Sequence, residues 1–331
     1  MSAALPATRP TIEGGAAAGC PCGGDALGPS VYPTARGAFS FGLRPCLRCG
    51  RLVLDPSPDD AALAAAYDRA YYGIGARKFL QPIESGLDVF RGGRARALDA
   101  LVPETAGRAR RVLDIGCGDG GFLAALAARG WECHGSEFSP LTAQRAAART
   151  GLPIRTGALA EDAFPPASLD AVSIWHVLEH LRDPDRVLRD CARWLVPGGV
   201  LLVAVPNVAS WQARAFAGHW FHLDPPFHLY HFDPRSLTRT LADAGFEVAA
   251  VNHFCWQYNP YGVLQSALNA LGFPRDELYD VLKGNHAAWS SASRLVQVLL
   301  AGCALAPAFG WSLLEAVAGA GGTIDVRARR R

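Results

Sequence analysis

Short apolar runs alternate with helix-like stretches along the middle of the chain. Strands are predicted at 111–115, 169–175 and 200–205, where the runs are apolar, and at 132–137 and 153–156 from their place in the alternation. The stretches between them predict helices at residues 119–129, 140–150 and 184–195, the last one closed by a Pro-Gly-Gly stop signal. Alternation of this kind predicts right-handed crossovers and a parallel sheet covered by helices on both faces, which is an α/β fold.

The alternation resumes near the C-terminus after an interruption. A helix is predicted at 234–244, a strand at 246–254 and a last strand at 323–328, with a mostly helical insertion over 255–321. Residues 295–314 carry no charge and are long enough to span a bilayer. Pro307 and the return of the last strand to the sheet oppose a span, so we predict two apolar helices broken near Pro307. A lid, a homodimer surface and a peripheral membrane contact stay open as roles for this insertion.

The first 108 residues lack the alternation. We expect a disordered tail at 1–19 without a signal peptide, a loop-rich module at 20–60 and a helical cap or linker at 61–108, followed by the α/β domain at 109–331. In the cap, helices are predicted at 61–71 and 84–101.

Composition narrows the class of protein. The chain has 331 residues, of which 50% are hydrophobic and 19% are charged, which excludes a largely disordered protein. The net charge of +2 is spread along the chain, so no nucleic-acid-binding surface is expected. Nine cysteines, an odd number, argue against a secreted disulfide scaffold and favour a reducing compartment, so we expect a cytoplasmic protein.

Four of the cysteines lie at short spacing near the N-terminus: Cys20, Cys22, Cys46 and Cys49. Four thiolates can close a tetrahedral zinc site and stabilise a small module that lacks its own core. The second pair has the spacing of a zinc-ribbon knuckle, whereas the first pair is one residue short. We expect a structural zinc ion, with free thiols in a flexible segment as the alternative.

A glycine-rich turn follows the first predicted strand of the α/β domain. Glycines at 116, 118 and 120 let the backbone turn tightly and approach a ligand closely. Glu137, at the end of the next strand, can accept hydrogen bonds from both hydroxyls of a ribose. The glycines at 116, 118 and 121 also satisfy the dinucleotide pattern, so NAD is a candidate ligand. Asp114 would repel a pyrophosphate and is suited to a ligand that carries an ammonium and a sulfonium.

The run of Asp114, Gly116, Gly118 and Gly120 resembles the first motif of the class I S-adenosylmethionine-dependent methyltransferases. Residues 170–184, 195–203 and 243–248 resemble later strand segments of that family. Residues 46–50, with Tyr67 and the tyrosines at 71 and 72, resemble an N-terminal extension of one bacterial branch. The resemblance implies a Rossmann-like seven-stranded sheet of order 3-2-1-4-5-7-6 with the last strand antiparallel.

The same resemblance implies a site for S-adenosylmethionine. Asp114, Gly116 and Gly118 would line the methionine moiety, Glu137 would bind the ribose, and Phe138 would flank the adenine. Further residues assigned to the cofactor site are Cys117, Gly120, Leu159 and His176. Ala158 stands where the family often has an aspartate that contacts the adenine.

Histidines crowd two segments that should meet at the carboxyl edge of the sheet. If the methyl acceptor is a hydroxyl or an acidic carbon, a base is needed, and neutral histidine is the natural one near pH 7. We rank His228 first as base or acceptor contact, then His176, then His222, and we add Tyr72 because its segment can close over the site. For each histidine a structural role is the alternative.

A divalent cation on His176, Glu179 and His180 is a further alternative, because these residues share one face of a predicted helix start. The expected function is methyl transfer to a small-molecule, sugar, glycan or lipid-linked acceptor in biosynthesis. An NAD-dependent oxidoreductase and a non-enzymatic S-adenosylmethionine-binding protein stay open.

Overall fold

The computed structural model describes residues 19–36, 39–67, 79, 81–104, 107–283 and 292–331. Its N-terminal part is an antiparallel meander of β1 (Val31–Arg36), β2 (Phe39–Pro45) and β3 (Leu52–Asp55). Two helices follow, α1 (Asp60–Ala66) and α2 (Gln81–Leu101). Helix α1 ends five residues before the predicted boundary at 71.

The remaining strands are β4 (Arg111–Ile115), β5 (Glu132–Glu137), β6 (Ile154–Thr156), β7 (Leu169–Trp175), β8 (Leu195–Pro206), β9 (Tyr230–His231), β10 (Phe246–Asn252) and β11 (Thr323–Arg330). Within the described residues, all of these except β9 form one seven-stranded sheet of order β6-β5-β4-β7-β8-β11-β10. Strand β11 is antiparallel to both of its neighbours, while β4 to β8 run parallel. The predicted strand order and the antiparallel last strand are confirmed.

The remaining helices are α3 (Gly121–Ala127), α4 (Pro140–Thr150), α5 (Pro184–Trp194), α6 (Trp211–Phe216), α7 (Pro234–Asp243), α8 (Asn259–Ala270), α9 (Glu277–Leu282) and α10 (Ala292–Val317). Helices α4, α5 and α7 each begin at a proline that follows a capping side chain: Ser139, Asp183 and Asp233. The cap satisfies a free N–H of the first turn, and proline loses no hydrogen bond there, which explains why the predicted starts were correct.

Helix α10 runs without interruption through Pro307, so the predicted break into two helices is wrong. A proline inside a helix removes one hydrogen bond and costs about 3 kcal/mol. Gln297 lies before Pro307, whereas Ser312 and Glu315 lie after it, and all three are buried against the rest of the protein. Packing on both sides of the proline therefore outweighs its local cost.

Candidate active site

The glycine turn after β4 has an open side. Gly116, Gly118 and Gly120 have φ angles of +72°, +56° and +75°, a region that favours glycine. A Cβ at Gly116 would lie 2.3 Å from Cγ2 of Val177, whereas a Cβ at Gly118 would meet nothing within 4 Å. A ligand can therefore approach the backbone at Gly118.

Glu137, at the end of the neighbouring strand β5, lies beside this turn. Its carboxylate accepts hydrogen bonds from the N–H groups of Gly118 (3.0 Å) and Ser139 (3.2 Å). The next residue, Phe138, is 61% exposed, and its ring centroid lies 5.9 Å from that of Tyr67. The structure thus places the predicted ribose and adenine residues next to the glycine turn.

Asp114 lies below the turn on β4 and is buried. The Ser173 hydroxyl donates a hydrogen bond to it at 2.6 Å. Burial raises the pKa of Asp114 to about 7. A cationic ligand group nearby would favour the ionised carboxylate, which agrees with the expected position of the methionine moiety.

Two other predicted cofactor residues contribute to packing. Cys117 is buried in the core between β4 and α3, and burial raises the pKa of its thiol above the usual range. Leu159 is half-buried and packs against a second core cluster, which includes Phe164 and Trp194. Any contact of Cys117 with a ligand therefore falls to its backbone.

A buried carboxylate, Glu179, lies at the centre of the histidine cluster. It is 1% exposed in a short 3-10 turn after β7, and burial raises its pKa to about 7. Nδ1 of His176 lies 3.6 Å from its Oε1. Ligand atoms of Glu179, His180 and His228 all lie within 4.8 Å of one another, a grouping that could hold a metal ion. This set shares Glu179 and His180 with the predicted cation site but has His228 in place of His176.

His228 has a defined tautomer. Its Nδ1 lies 2.8 Å from the carbonyl oxygen of His222, which can only accept, so Nδ1 carries the proton of the neutral ring. Nε2 therefore holds the lone pair, and it lies 4.0 Å from Oδ2 of Asp224. Burial opposes ionisation of Asp224, but the Arg36 guanidinium, 2.6 Å away, holds the pKa of that carboxyl at about 2. A fixed negative charge thus adjoins the nitrogen that holds the lone pair.

The other predicted histidines form the wall of this cluster. His176 directly follows β7 with a φ of +53°, and its ring lies 3.9 Å from that of Tyr258, centroid to centroid. Strained backbone of this kind is concentrated at functional sites. His222 is buried, and burial lowers its pKa to about 3, so it is neutral. His176 thus lies between Tyr258 and Glu179, whereas His222 accepts a hydrogen bond from the ring of His228 through its carbonyl.

Tyr67, just after α1, contacts both Phe138 on the cofactor side and the histidine cluster. Its hydroxyl lies 3.0 Å from Nδ1 of His180, and its ring centroid lies 4.9 Å from that of Phe227. The sequence placed Tyr67 in the family-like extension but assigned it no role. Tyr72, the predicted catalytic candidate in that segment, lies outside the described residues.

The comparisons with known proteins identify the family. A family model described as a methyltransferase domain matches residues 90–251. A probable S-adenosylmethionine-dependent methyltransferase of Mycolicibacterium smegmatis is 37% identical over 140 residues, covering 42% of this chain and 52% of that protein. A ubiquinone biosynthesis O-methyltransferase of Azoarcus sp. is 30% identical over 164 residues, covering 46% of this chain and 69% of that protein. The chain belongs to the S-adenosylmethionine-dependent methyltransferases.

The matched part spans about half to two thirds of these two curated relatives. A solved S-adenosylmethionine-dependent methyltransferase of Mesorhizobium loti is 19% identical, with a TM-score of 0.44 over 71% of this chain and 96% of that chain. Membership of the methyltransferase family favours S-adenosylmethionine over NAD as the ligand of the glycine turn.

The four N-terminal cysteines of this methyltransferase come together. Their Sγ atoms lie within 4.8 Å of one another, with distances of 3.6 Å for Cys20–Cys49 and for Cys22–Cys46. Zn–S bonds of about 2.3 Å in a tetrahedron require sulfur atoms about 3.8 Å apart. A hydrogen bond with Cys20 and the nearby Arg51 charge lower the pKa of Cys49, which favours the thiolate. The donor set and its spacing fit a closed zinc site.

The cysteine module, residues 20–60, binds the loop at residues 224–231, which carries His228. Strand β3 pairs with β9, so that Leu52 and Val53 lie opposite His231 and Tyr230. The Leu54 N–H donates to the carbonyl oxygen of Leu229 at 2.9 Å. The loop is therefore held by β1, through the Arg36–Asp224 ion pair, and by β3, through these backbone hydrogen bonds.

Proposed function

We propose that this chain transfers the methyl group of S-adenosylmethionine to an acceptor whose nucleophilic atom must lose a proton. The observation that carries the proposal is the basic Nε2 of His228. This nitrogen lies beside Asp224 in a cluster with Glu179, which follows the strand adjacent to β4 and its glycine turn. When bound, S-adenosylmethionine supplies a methyl group already activated by the sulfonium charge.

The residues of the chain would then position the acceptor and move its proton. Nε2 of His228 accepts the proton from a hydroxyl or an acidic carbon as that atom bonds to the methyl group and the sulfur–methyl bond breaks. Asp224 and Glu179 stabilise the charged ring, and the His222 carbonyl keeps its tautomer. His176 and Tyr258 form a wall against which the acceptor is oriented, which contributes through proximity.

We propose that the acceptor is a compound with a hydroxyl group: a small molecule, a sugar or glycan, or a lipid-linked compound. Support comes from the aromatic wall of Tyr67, Phe227 and Tyr258, and from the Azoarcus relative named as an O-methyltransferase. A screen with methyl-labelled S-adenosylmethionine against phenolic, sugar and lipid-linked hydroxyl compounds tests this. Labelling of hydroxyl compounds supports the proposal, and exclusive labelling of amines contradicts it.

A cation-assisted reaction is the second candidate, since Glu179, His180 and His228 can together offer three ligand atoms. In that case dialysis against a chelator should abolish turnover, and a divalent cation such as Mg²⁺ should restore it. Turnover that survives chelation at full rate excludes this candidate and leaves His228 as the base.

The cofactor site gives a direct prediction. Glu137→Ala should weaken S-adenosylmethionine binding by about 10–150-fold, because hydrogen bonds to a charged group contribute about 1.5–3 kcal/mol. Titration calorimetry measures the change. Glu132→Ala is the matched control, since Glu132 lies at the other end of β5 and pairs with Arg111 on the surface. Equal affinity of wild type and Glu137→Ala would contradict the assigned ribose contact.

We also propose that the cysteine module binds one structural zinc ion. Elemental analysis of the purified chain should find about one zinc per chain, and the Cys46→Ser/Cys49→Ser variant should retain none. Cys303→Ser is the control, because Cys303 is an exposed cysteine on α10, outside the cluster. A wild-type chain purified without a chelator that contains no zinc would contradict this site.

A further inference from the structure

Helix α10 has an apolar outer face and a polar inner face. Leu299, Leu313 and Leu314 on the outer face are 60%, 43% and 64% exposed, whereas Gln297, Ser312 and Glu315 on the inner face are buried. The helix is long and apolar enough to cross a membrane, with a mean hydropathy of 1.6 over its most apolar 18 residues. This arrangement is the reverse of a helix on the surface of a water-soluble domain.

The inner face is fixed at both ends to the same protein body. Near the start of α10, Arg294 donates to Glu277 at 3.1 Å, and Gln297 also donates to Glu277. Near its end, Glu315 accepts from the backbone and side chain of Gln212 at 2.7 and 2.9 Å. Both ends therefore stay on one side of any bilayer, and the helix lies along the surface of the protein.

The width of the outer face distinguishes between a single partner helix and a lipid surface as the group that covers it. At about 100° per residue, the exposed side chains from Leu295 to Val317 cover about two thirds of the helix circumference. The seam that one partner helix covers in a coiled coil is narrower. Residues 295–314 carry no charge, and at 1.5 Å per residue they form an apolar strip about 30 Å long. A strip that is wide and uncharged fits a continuous apolar medium.

The edges of this strip have the side chains of a membrane interface. Trp256, 57% exposed, packs against Phe309 with ring centroids 4.5 Å apart and widens the strip. Trp311, two residues beyond Phe309 on α10, and Trp211 flank the exposed Arg214. Tryptophans and arginines at the border of an apolar region favour the headgroup layer, where anionic lipids attract the cation.

We propose that α10 lies in the plane of a lipid bilayer surface and buries its outer face among the acyl chains, so that the protein binds membranes from one side. This binding does not depend on methyl transfer, so it can be tested without an acceptor.

The test is flotation of the full chain with vesicles of phosphatidylcholine and phosphatidylglycerol. Wild type should float with the vesicles, and Leu299→Glu/Leu313→Glu should reduce the bound fraction at least tenfold. Both side chains are exposed, so the melting temperature of this variant should stay within about 2 °C of wild type. Leu47→Glu is the matched control, because Leu47 is 69% exposed on the cysteine module, and it should float like wild type.

Two outcomes would overturn the proposal. One is a wild-type chain that stays in the soluble fraction with these vesicles. The other is a stable dimer in sedimentation without lipid that the Leu299→Glu/Leu313→Glu substitutions dissociate, since a second copy of the chain would then cover the face.

Discussion

Replacing His228 with asparagine is expected to lower kcat by about 10²–10⁴-fold, the usual contribution of a general base. The variant loses the nitrogen that accepts the acceptor proton, while the glycine turn and Glu137 are unchanged. The Kd for S-adenosylmethionine should therefore stay within about twofold of wild type. Release of S-adenosylhomocysteine, measured with an acceptor found in the labelling screen, gives kcat.

The control for this prediction is His219→Asn, an exposed histidine in the same segment. It should keep wild-type kcat. Asp224→Asn should lower kcat by about tenfold, because it removes the negative charge that lies 4.0 Å from Nε2 of His228 as that nitrogen accepts the proton. A His228→Asn variant that retains more than a tenth of wild-type kcat would remove His228 from the role of base.

Replacing Arg51 with methionine should lower the free energy of unfolding by about 3–5 kcal/mol, the usual cost of breaking a buried ion pair on one side. Arg51 is buried and makes two hydrogen bonds, of 2.8 and 2.6 Å, to the Asp185 carboxylate on α5. Without its partner, that carboxylate is left buried and uncompensated. Denaturant unfolding followed by fluorescence measures the change.

Two further variants separate charge loss from packing loss. Arg51→Met/Asp185→Leu removes both charges and should recover much of the stability. Arg111→Met breaks a surface pair with Glu132 at 2.8 Å and should cost less than about 1 kcal/mol. If Arg51→Met costs no more than Arg111→Met, the Arg51–Asp185 pair does not hold the module to the core.

The sheet and the cofactor turn were predictable because their signals are local. Strands β4, β7 and β8 are apolar runs in the sequence, and Gly116, Gly118 and Glu137 lie where strands end. The starts of α4, α5 and α7 were correct because each has a capping side chain and a proline next to each other in sequence.

The histidine site was only partly predictable because its partners are distant in sequence. Arg36 and Asp224 are separated by 188 residues, and no periodic pattern links β3 to β9. The central position of Glu179 depends on the packing of the loop that carries His228. Helix α10 was predicted to break because the local cost of Pro307 is visible in the sequence, whereas the packing that outweighs it is not.

The most direct test of the central claim is titration calorimetry of the chain with S-adenosylmethionine and, separately, with NADH. We predict saturable binding of S-adenosylmethionine at one site per chain, weakened by Glu137→Ala, and no heat of binding for NADH. Binding of NADH with none of S-adenosylmethionine would contradict the account.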